Sequence, residues 1–303
     1  MKTKSNPLIC DIETGMCKPS SSIQSDSTSN IIPINKPIKI IYFTDPICSS
    51  CWGIEPQLKR LKLEYGNAID IEYYMGGLLP DWSYNSGGIS KPTDVAKHWD
   101  EVSAHYKMPI DGDIWLEDPL YSSFPPSIAF KAAQIQDKTK ALVFLRKIRE
   151  MVFIYKKNIT KWEHLEAAAL FSNLNLEQFK LDYYGKAKDL FYEDLALSKK
   201  LGVRGFPTLF FSNSSNTQIT LYGFRPYHAF KHAIHQLDSN TKKQDSELSW
   251  NALFSRFKTL TTKEYAELTG QSFSESENIL IELTEQNKLE RQQTKNGSLW
   301  IFL

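Results

Sequence analysis

The fold is decided by the stretch Ile38-Lys39-Ile40-Ile41-Tyr42-Phe43-Thr44-Asp45-Pro46-Ile47-Cys48-Ser49-Ser50-Cys51. Its apolar first half predicts a buried strand over 38–44, and a helical pattern begins at Cys48. A helix N-terminus presents free backbone N–H groups and a partial positive charge, and both favour the thiolate form of the first cysteine. Two intervening residues keep the second sulfur within disulfide reach. The pattern therefore predicts a redox-active cysteine pair directly after a strand.

A zinc site is the main alternative use of a C-x-x-C pair. Structural zinc needs a second pair of ligands at suitable spacing, and no such pair follows Cys51. The six histidines of the chain form no close ligand pattern. We therefore expect no metal ion and favour redox chemistry at this pair.

Bulk composition limits the class of protein. The chain has 303 residues, with 36 basic and 35 acidic side chains and a formal net charge of +1. This length predicts about two domains, and the near-neutral charge gives no electrostatic case for binding nucleic acid or membrane. No secretory signal and no run of about 18 apolar residues is present. We expect a cytoplasmic protein, in which a C-x-x-C pair is more often catalytic or metal-binding than a structural staple.

The N-terminal segment, residues 1–36, is polar and rich in Ser, Thr, Asn and Pro. This composition predicts a disordered tail. The tail contains Cys10 and Cys17. Two interpretations stay open: idle thiols, or an auxiliary redox pair or metal-binding tail.

A βαβ unit follows the tail. A helix is predicted from Cys48 to about Tyr65, and Pro56 should kink it or lie in its early turns. A second strand is predicted over 69–75, and it should run parallel to the first because a crossover helix joins the two. Further strands are predicted at 208–211 and 218–223, separated by turn residues, and a closing helix is predicted at 226–237.

Two larger segments complete the organisation. Helical periodicity dominates about 78–195, which predicts a helical insertion. A linker over 238–248 precedes a separate unit, 249–303, in which three helical segments and a hairpin form a winged-helix pattern. The third helical segment, 274–286, carries four glutamates and no basic residue. It would repel phosphate, so a protein contact or a packing role is favoured over DNA binding.

Three separated motifs agree with one another. They are Asp45-Pro46-Ile47-Cys48-Ser49-Ser50-Cys51-Trp52-Gly53, Met75-Gly76-Gly77-Leu78 and Gly202-Val203-Arg204-Gly205-Phe206-Pro207-Thr208. Together they resemble the DsbA family of thioredoxin-fold proteins, more closely its cytoplasmic FrnE-like branch. The resemblance covers about 37–237. It implies an α/β, thioredoxin-like fold with an inserted α-helical domain, to which the C-terminal winged-helix-like module is added, and a cis Phe206–Pro207 bond facing the two sulfurs.

The resemblance implies a DsbA-like protein-disulfide oxidoreductase. Cys48, expected to be the more exposed thiol, would attack a substrate disulfide, and Cys51 would resolve the mixed disulfide. Pro207 has no N–H to compete near the sulfurs. The substrates would be disulfide-containing proteins or small thiols, with glutathione as a candidate co-substrate and no other cofactor.

Further site residues are predicted around this pair. Substrate contacts are assigned to Phe206, Thr208, Ser49, Ser50 and Trp52. Glu55 is the candidate proton acceptor for the resolving thiol. All but Thr208 have a structural alternative: the serines as helix caps, Trp52 and Phe206 as packing residues, and Glu55 as a solvated acid of the first helical turn. An aromatic groove formed by Trp82, Tyr84 and Trp115 is a further hypothesis.

A second function class also fits the sequence. The Spx adaptor proteins share the DsbA-like body, the cytoplasmic address and a C-terminal extension. The chain would then be a non-catalytic adaptor that binds a client protein for a protease. The intact cysteine pair favours the enzyme, and so does the segment 202–208 around Pro207, called the proline loop below. The C-terminal module favours the adaptor, because thiol chemistry does not require it.

Overall fold

The structure is a computed structural model that describes residues 10–11, 16–17, 36–83 and 91–303. The first two segments are the short strands β1 (Cys10–Asp11) and β2 (Met16–Cys17), which pair antiparallel with Cys10 opposite Cys17. The rest of the predicted tail before Lys36 lies outside the described residues. Its disorder stays a prediction.

A four-stranded sheet forms the centre of the thioredoxin-like body. Its strands are β3 (Ile38–Thr44), β4 (Ile69–Met75), β5 (Thr208–Asn213) and β6 (Gln218–Tyr222). They lie in the order β4-β3-β5-β6. β3 and β4 are parallel, as the crossover predicted, and the β3–β5 and β5–β6 pairs are antiparallel. The four strands predicted from the sequence are confirmed.

The crossover between β3 and β4 is two helices, where the sequence predicted one. They are α1 (Ser49–Gly53) and α2 (Glu55–Tyr65), separated by Ile54, whose φ is −96° and ψ is 2°. Pro56 is the second residue of α2, where a backbone N–H would have no intrahelical partner. The proline therefore lies in the early turns, as predicted, and the cysteines have a short helix of their own.

The insertion is helical, as predicted. Within the described residues it consists of α3 (Pro92–Tyr106), α4 (Ile114–Glu117), α5 (Phe124–Gln136), α6 (Lys138–Phe153), α7 (Trp162–Phe171), α8 (Leu176–Tyr184) and α9 (Lys186–Lys200). α9 packs against β4, and a closing helix, α10 (Tyr227–Leu237), packs against β5, β6 and α2. None of the described helices is long and apolar enough to cross a membrane.

The C-terminal module has winged-helix order. Its elements are α11 (Trp250–Phe257), β7 (Thr259–Thr261), α12 (Thr262–Thr269), α13 (Phe273–Glu285), β8 (Leu289–Thr294) and β9 (Gly297–Phe302). The sheet order is β7-β9-β8, all antiparallel. Capping boxes start α12 and α13, in which Thr261 pairs with Glu264 and Ser272 with Glu275. The module has its own core, which Leu63 of α2 enters.

A buried ion network joins the module to the body. The guanidinium of Arg146, on α6, donates from Nη1 and Nη2 to the two carboxylate oxygens of Glu264, at 2.7 and 3.0 Å. Its Nε donates to Glu150 at 2.7 Å, and Lys59 Nζ lies 3.5 Å from Glu264. Burial raises the pKa of Glu264, but the charges of Arg146 and Lys59 outweigh it and hold this pKa below its ordinary value. The ionised carboxylate of Glu264 therefore links α12 to the body through its ion pairs with Arg146 and Lys59.

The hairpin turn of the module makes a second attachment. Lys295 Nζ lies 2.8 Å from an Asp100 carboxylate oxygen and 2.6 Å from one of Asp113. The Asn296 amide donates to Asp100 and to the Ile110 carbonyl, at 2.8 and 2.7 Å. These contacts fasten the turn to the α3–α4 region of the insertion. With two separate attachments, the module has a fixed position on the body.

Asp45 holds the loop between β3 and α1. Its buried carboxylate accepts hydrogen bonds from the Ile47 N–H at 3.0 Å, the Leu78 N–H at 2.8 Å and the Ser123 hydroxyl at 2.8 Å. Burial raises the pKa of Asp45 to about 6, although these hydrogen bonds and Arg149 act in the opposite direction. One side chain thus ties together the cysteine loop, the chain after β4 and the start of α5.

We predict that Glu264→Gln destabilises the protein by about 3 kcal/mol, because the substitution removes the carboxylate that both terminal nitrogens of the buried Arg146 guanidinium bind. Urea unfolding at pH 7 measures this change. Glu101→Gln is the matched control, since Glu101 is half exposed and pairs across a helix surface with Lys97; it should cost less than about 1 kcal/mol. Equal unfolding midpoints for the two variants would contradict the prediction.

Asp45 should also give stability a specific pH dependence. Its pKa in the folded protein, about 6, exceeds its ordinary value of 3.8, so the folded state binds the proton more tightly. Its stabilising contribution is therefore complete below about pH 4 and is lost as the pH rises through about 6, a change of roughly 2–3 kcal/mol. Asp45→Asn should remove this slope from the unfolding free energy.

Asp81→Asn is the control for the Asp45 prediction. Hydrogen bonds from Ser83 hold the pKa of the exposed Asp81 below its ordinary value. This variant should therefore retain the wild-type fall in stability between about pH 4 and pH 6. An Asp45→Asn protein that keeps the same slope would show that the carboxyl of Asp45 stays ionised in the folded state throughout this range.

Candidate functional site

The cysteine pair lies at the start of α1. Cys48 is the N-cap of this helix, and its Sγ accepts a hydrogen bond from the Cys51 N–H at 3.1 Å. The two sulfurs form a disulfide, with Cα atoms 5.2 Å apart. The helix N-terminus therefore directs a backbone donor at the sulfur of Cys48, which is the arrangement that favours a thiolate on reduction.

Both cysteines are fully buried, with an exposed fraction of 0% each. The expectation that Cys48 is the more exposed thiol is therefore wrong in this structure. The physical reason is the packing around α1, which is contacted by α2, α3 and the N-terminal strand β2. The Tyr106 ring of α3 packs so closely on Gly53 that a Cβ there would lie 2.6 Å from it. The pair is thus covered in the oxidised state that the structure shows.

The Phe206–Pro207 bond is cis, as the family resemblance implied. Pro207 directly precedes β5, and Thr208 pairs with Phe43 near the end of β3, from which the cysteine loop leaves. Register thus brings the proline loop to the cysteine end of the sheet. That Pro207 faces the sulfurs stays a prediction.

The residues predicted to contact substrate are all buried. The Phe206 ring fills the space over Gly76, where any Cβ would collide with it. The Thr208 hydroxyl donates to the Gly205 carbonyl at 2.7 Å. In this structure Phe206 packs on the chain after β4 and Thr208 bonds within the proline loop, and their contact with substrate stays a prediction.

The residues that flank and separate the cysteines are equally enclosed. The Ser50 hydroxyl lies 3.1 Å from the Tyr106 hydroxyl, and Ser49 is 1% exposed. Neither serine is the helix cap, because Cys48 holds that position. Trp52 donates from Nε1 to the Pro109 carbonyl at 3.1 Å and stacks on Phe153. These contacts give Trp52 a packing role here, and substrate contact by these three residues also stays a prediction.

Glu55 is engaged by a buried arginine. Arg149, on α6, is 0% exposed and donates from Nη1 to a Glu55 carboxylate oxygen. Its Nη2 donates to the Thr44 hydroxyl at 2.6 Å and to the Asp45 carbonyl at 3.3 Å. One guanidinium thus joins the end of β3 to the start of α2, on both sides of the cysteine loop. Proton transfer by Glu55 stays a prediction, and it would act on a carboxylate already paired with a cation.

Sequence reasoning gave no role to Arg149, Asp45 or Tyr106. The signal for Arg149 was present: it lies four residues after Leu145 and three before Val152, on the buried face of α6. A cation at an apolar position of an amphipathic helix indicates a buried partner. Tyr106 gave no such signal, because its contact with Ser50 depends on how α3 packs on α1.

Two of the three residues of the predicted aromatic groove, Trp82 and Trp115, pack against each other. Trp115 is 1% exposed, and it makes edge contacts with Trp82 and Trp99. Trp82 donates from Nε1 to the Leu120 carbonyl at 2.8 Å. Trp115 is therefore a core residue and does not line a groove. Tyr84 lies outside the described residues.

The chemistry available to this site is disulfide formation and exchange. The described residues contain no group of three or more His, Cys, Asp or Glu side chains arranged to hold a metal ion. Reduction would leave Cys48 at a helix N-terminus with a backbone donor on its sulfur. Access to that sulfur is the limiting feature of the site.

Comparison with known proteins first defines the family. A thioredoxin family profile matches residues 42–232. Among solved structures, the cytosolic disulfide reductase DsbM from Pseudomonas aeruginosa matches with a TM-score of 0.53 and 21% identity, over 66% of this chain and 99% of DsbM. DsbM has also been solved with GSH. This likeness shows the DsbA-like thioredoxin fold.

Full-length relatives extend beyond that fold. The chain is 32% identical to the ClpXP adapter protein SpxH of Halalkalibacterium halodurans, over 98% of each chain. It is 28% identical to SpxH of Bacillus subtilis, over 88% of this chain and 89% of the relative. The chain therefore belongs to the thioredoxin family, as a DsbA-like member of the group that contains the SpxH adapters.

Proposed function

We propose that the protein is a cytoplasmic adaptor that binds a client protein and presents it to a ClpXP-type protease. The observation that carries this proposal is the extent of the match to SpxH, which runs over 98% of both chains and so includes the C-terminal module. The thioredoxin profile ends at residue 232, before that module begins. The similarity to the SpxH adapter therefore includes both the thioredoxin-like body and the C-terminal module.

The attachment of the module supports a shared recognition surface. Arg146 and Glu264 form a bidentate ion pair inside the interface, and the hairpin turn is fastened separately through Lys295 and Asn296. A client surface composed of both units requires a fixed relative position. A module on a flexible tether would not need a buried ion network, whose desolvation costs several kcal/mol per ion before pairing offsets it.

The burial of the cysteines also favours the adaptor. Thiol–disulfide exchange begins when an external thiolate reaches a disulfide sulfur, so its rate depends on access. Cys48 and Cys51 are both fully enclosed. In a disulfide oxidoreductase, the elements packed over the cysteines would have to move away in every catalytic cycle. An adaptor would not require this movement.

A thiol–disulfide oxidoreductase is the second candidate, and the cysteine pair at a helix N-terminus beside the cis-proline loop favours it. An external thiolate would attack Cys48 Sγ, form a mixed disulfide and release Cys51 as a thiolate. A second external thiolate would then attack the mixed disulfide and release Cys48. Two substrate thiols are thereby oxidised to a disulfide while the cysteine pair is reduced to the dithiol. Glutathione is the candidate small thiol for this exchange.

Cys48→Ser should separate the two functions. In a reaction reconstituted with ClpX, ClpP and Spx as the trial client, we expect the variant to support the wild-type rate of client degradation, because an adaptor uses its surface and not its thiols. Disulfide exchange with glutathione should be abolished in the same sample. Cys51→Ser is the matched control and should behave in the same way. Loss of client degradation in both variants would favour the redox function.

The burial of the cysteine pair leads to a second prediction, which concerns the rate at which its disulfide is reduced. Dithiothreitol should reduce the Cys48–Cys51 disulfide at least about tenfold more slowly in the native protein than in guanidinium chloride, because the attacking thiolate must reach a buried sulfur. Removal of residues 1–35, which include β2 beside α1, should speed native reduction. Thiol alkylation followed by mass spectrometry gives both rates. Equal native and denatured rates would show that the pair is open in solution.

A further inference from the structure

A cavity that neither proposed function uses lies beside β4. Its volume is about 740 Å³, and it opens to solvent. One wall is formed by the edge strand β4, and the others come from α2, α5, α6, α9 and α11. Ligand pockets in proteins commonly have volumes of about 300–1,000 Å³. This space, called the β4-edge cavity below, is therefore large enough for a segment of another molecule, and it is bordered by the body, the insertion and the C-terminal module.

The β4-edge cavity is strongly basic. Six of its lining residues carry positive charge and two carry negative charge, a net charge of +4 in a chain whose total is +1. The basic residues are Lys36, Lys62, Lys131, Lys138, Lys186 and Arg256. Of the two acids, Glu72 is already bound to Lys39 at 2.8 Å. Positive charge is thus concentrated here well beyond the average of the surface.

Most of these cations lack an acidic partner. Lys131 is paired with Asp194 at 2.9 Å, but among the described residues no carboxylate lies within 4.0 Å of the other five. Lys62 Nζ donates to the Tyr73 hydroxyl at 2.7 Å, and burial lowers the pKa of Lys62. A partly buried ammonium beside a neutral oxygen gains stability from an added anion.

The backbone of β4 presents a second recognition element. β4 is the last strand of its sheet, so no described strand pairs with its outer edge. On that edge, the Ile69 carbonyl accepts from Lys36 Nζ at 3.0 Å and the Tyr73 carbonyl accepts from Gln134 Nε2 at 3.3 Å. The backbone groups of Ile71 point to the same side, because direction alternates along a strand. Long, flexible side chains thus occupy positions at which another strand would bond.

We propose that the β4-edge cavity binds an extended acidic peptide segment of a partner protein, which adds as a strand to the outer edge of β4. Its backbone would pair with Ile69, Ile71 and Tyr73, and its carboxylates would lie against the cations of the surrounding helices. Strand addition supplies affinity through main-chain hydrogen bonds, and charge supplies selectivity. This inference does not depend on which of the two functions above is correct.

The position of the charges distinguishes this site from a protected sheet edge. Proteins discourage unwanted pairing by placing lysines on the edge strand itself. Here the strand carries Asp70 and Glu72, and the cations stand on the elements around it. A small anion would contact the same cations but could not form hydrogen bonds with successive backbone groups along the edge of β4. An extended acidic chain uses both features.

Binding of a labelled peptide tests the proposal. We would use fluorescence anisotropy with the heptapeptide Asp-Val-Glu-Ile-Asp-Val-Glu and the full-length protein. The double variant Lys138→Glu/Arg256→Glu reverses two exposed charges at the cavity and should weaken binding about tenfold or more. The matched control, Lys180→Glu/Lys231→Glu, reverses two exposed charges outside the cavity lining and should bind within about twofold of wild type. Equal weakening in both variants, or no binding at millimolar peptide, would overturn the proposal.

Two further ligands separate strand addition from charge alone. A peptide with the same acids and proline at each apolar position lacks those N–H donors and should bind about tenfold more weakly. Inorganic tripolyphosphate should displace the heptapeptide only at higher concentration than unlabelled heptapeptide does. If the proline peptide binds equally well, or tripolyphosphate competes more strongly, the cavity is an anion site and the strand proposal fails. Neither failure affects the Cys48→Ser test of the adaptor.

Discussion

The buried guanidinium of Arg149 is the constraint on which the site depends. A cation with no solvent exposure costs several kcal/mol unless it is paired with an opposite charge, so its partners must be held in place. Its two terminal nitrogens bind Thr44, the Asp45 carbonyl and Glu55. These three residues mark the end of β3 and the start of α2, between which the cysteine loop and α1 lie. Arg149 thereby fixes both ends of the segment that carries the cysteines.

The helix that carries Arg149 also connects the three units of the molecule. Arg146, one turn earlier on α6, binds Glu264 of the module, and its guanidinium lies 4.5 Å from the ring of Trp52. Trp52 is the residue after Cys51. The redox segment, the insertion and the module therefore meet around two arginines of one helix. The Arg146 guanidinium thus contacts both a residue of the module and the residue that follows Cys51.

This arrangement explains how one chain can resemble both an enzyme and an adaptor. The elements of thiol chemistry are present: the C-x-x-C pair, the helix N-terminus and the cis-proline loop. The helix that carries the cysteines is contacted by α3 and β2, and the body is joined to a module that lies outside the thioredoxin profile. Both cysteines are fully buried in the oxidised state that the structure shows.

Local pattern in the sequence was enough to predict the strands, the parallel βαβ unit, the helical insertion, the winged-helix order and the cysteine pair at a helix start. Each depends on periodicity, turn residues or a short motif, all of which act over a few neighbouring residues. Such local patterns did not predict the break between α1 and α2 at Ile54 or the full burial of Cys48. The pairs Arg149–Glu55 and Arg146–Glu264 join residues 94 and 118 positions apart. Only the tertiary structure decided them, because periodicity can place Arg149 on a buried helix face but cannot show which distant residue packs against that face.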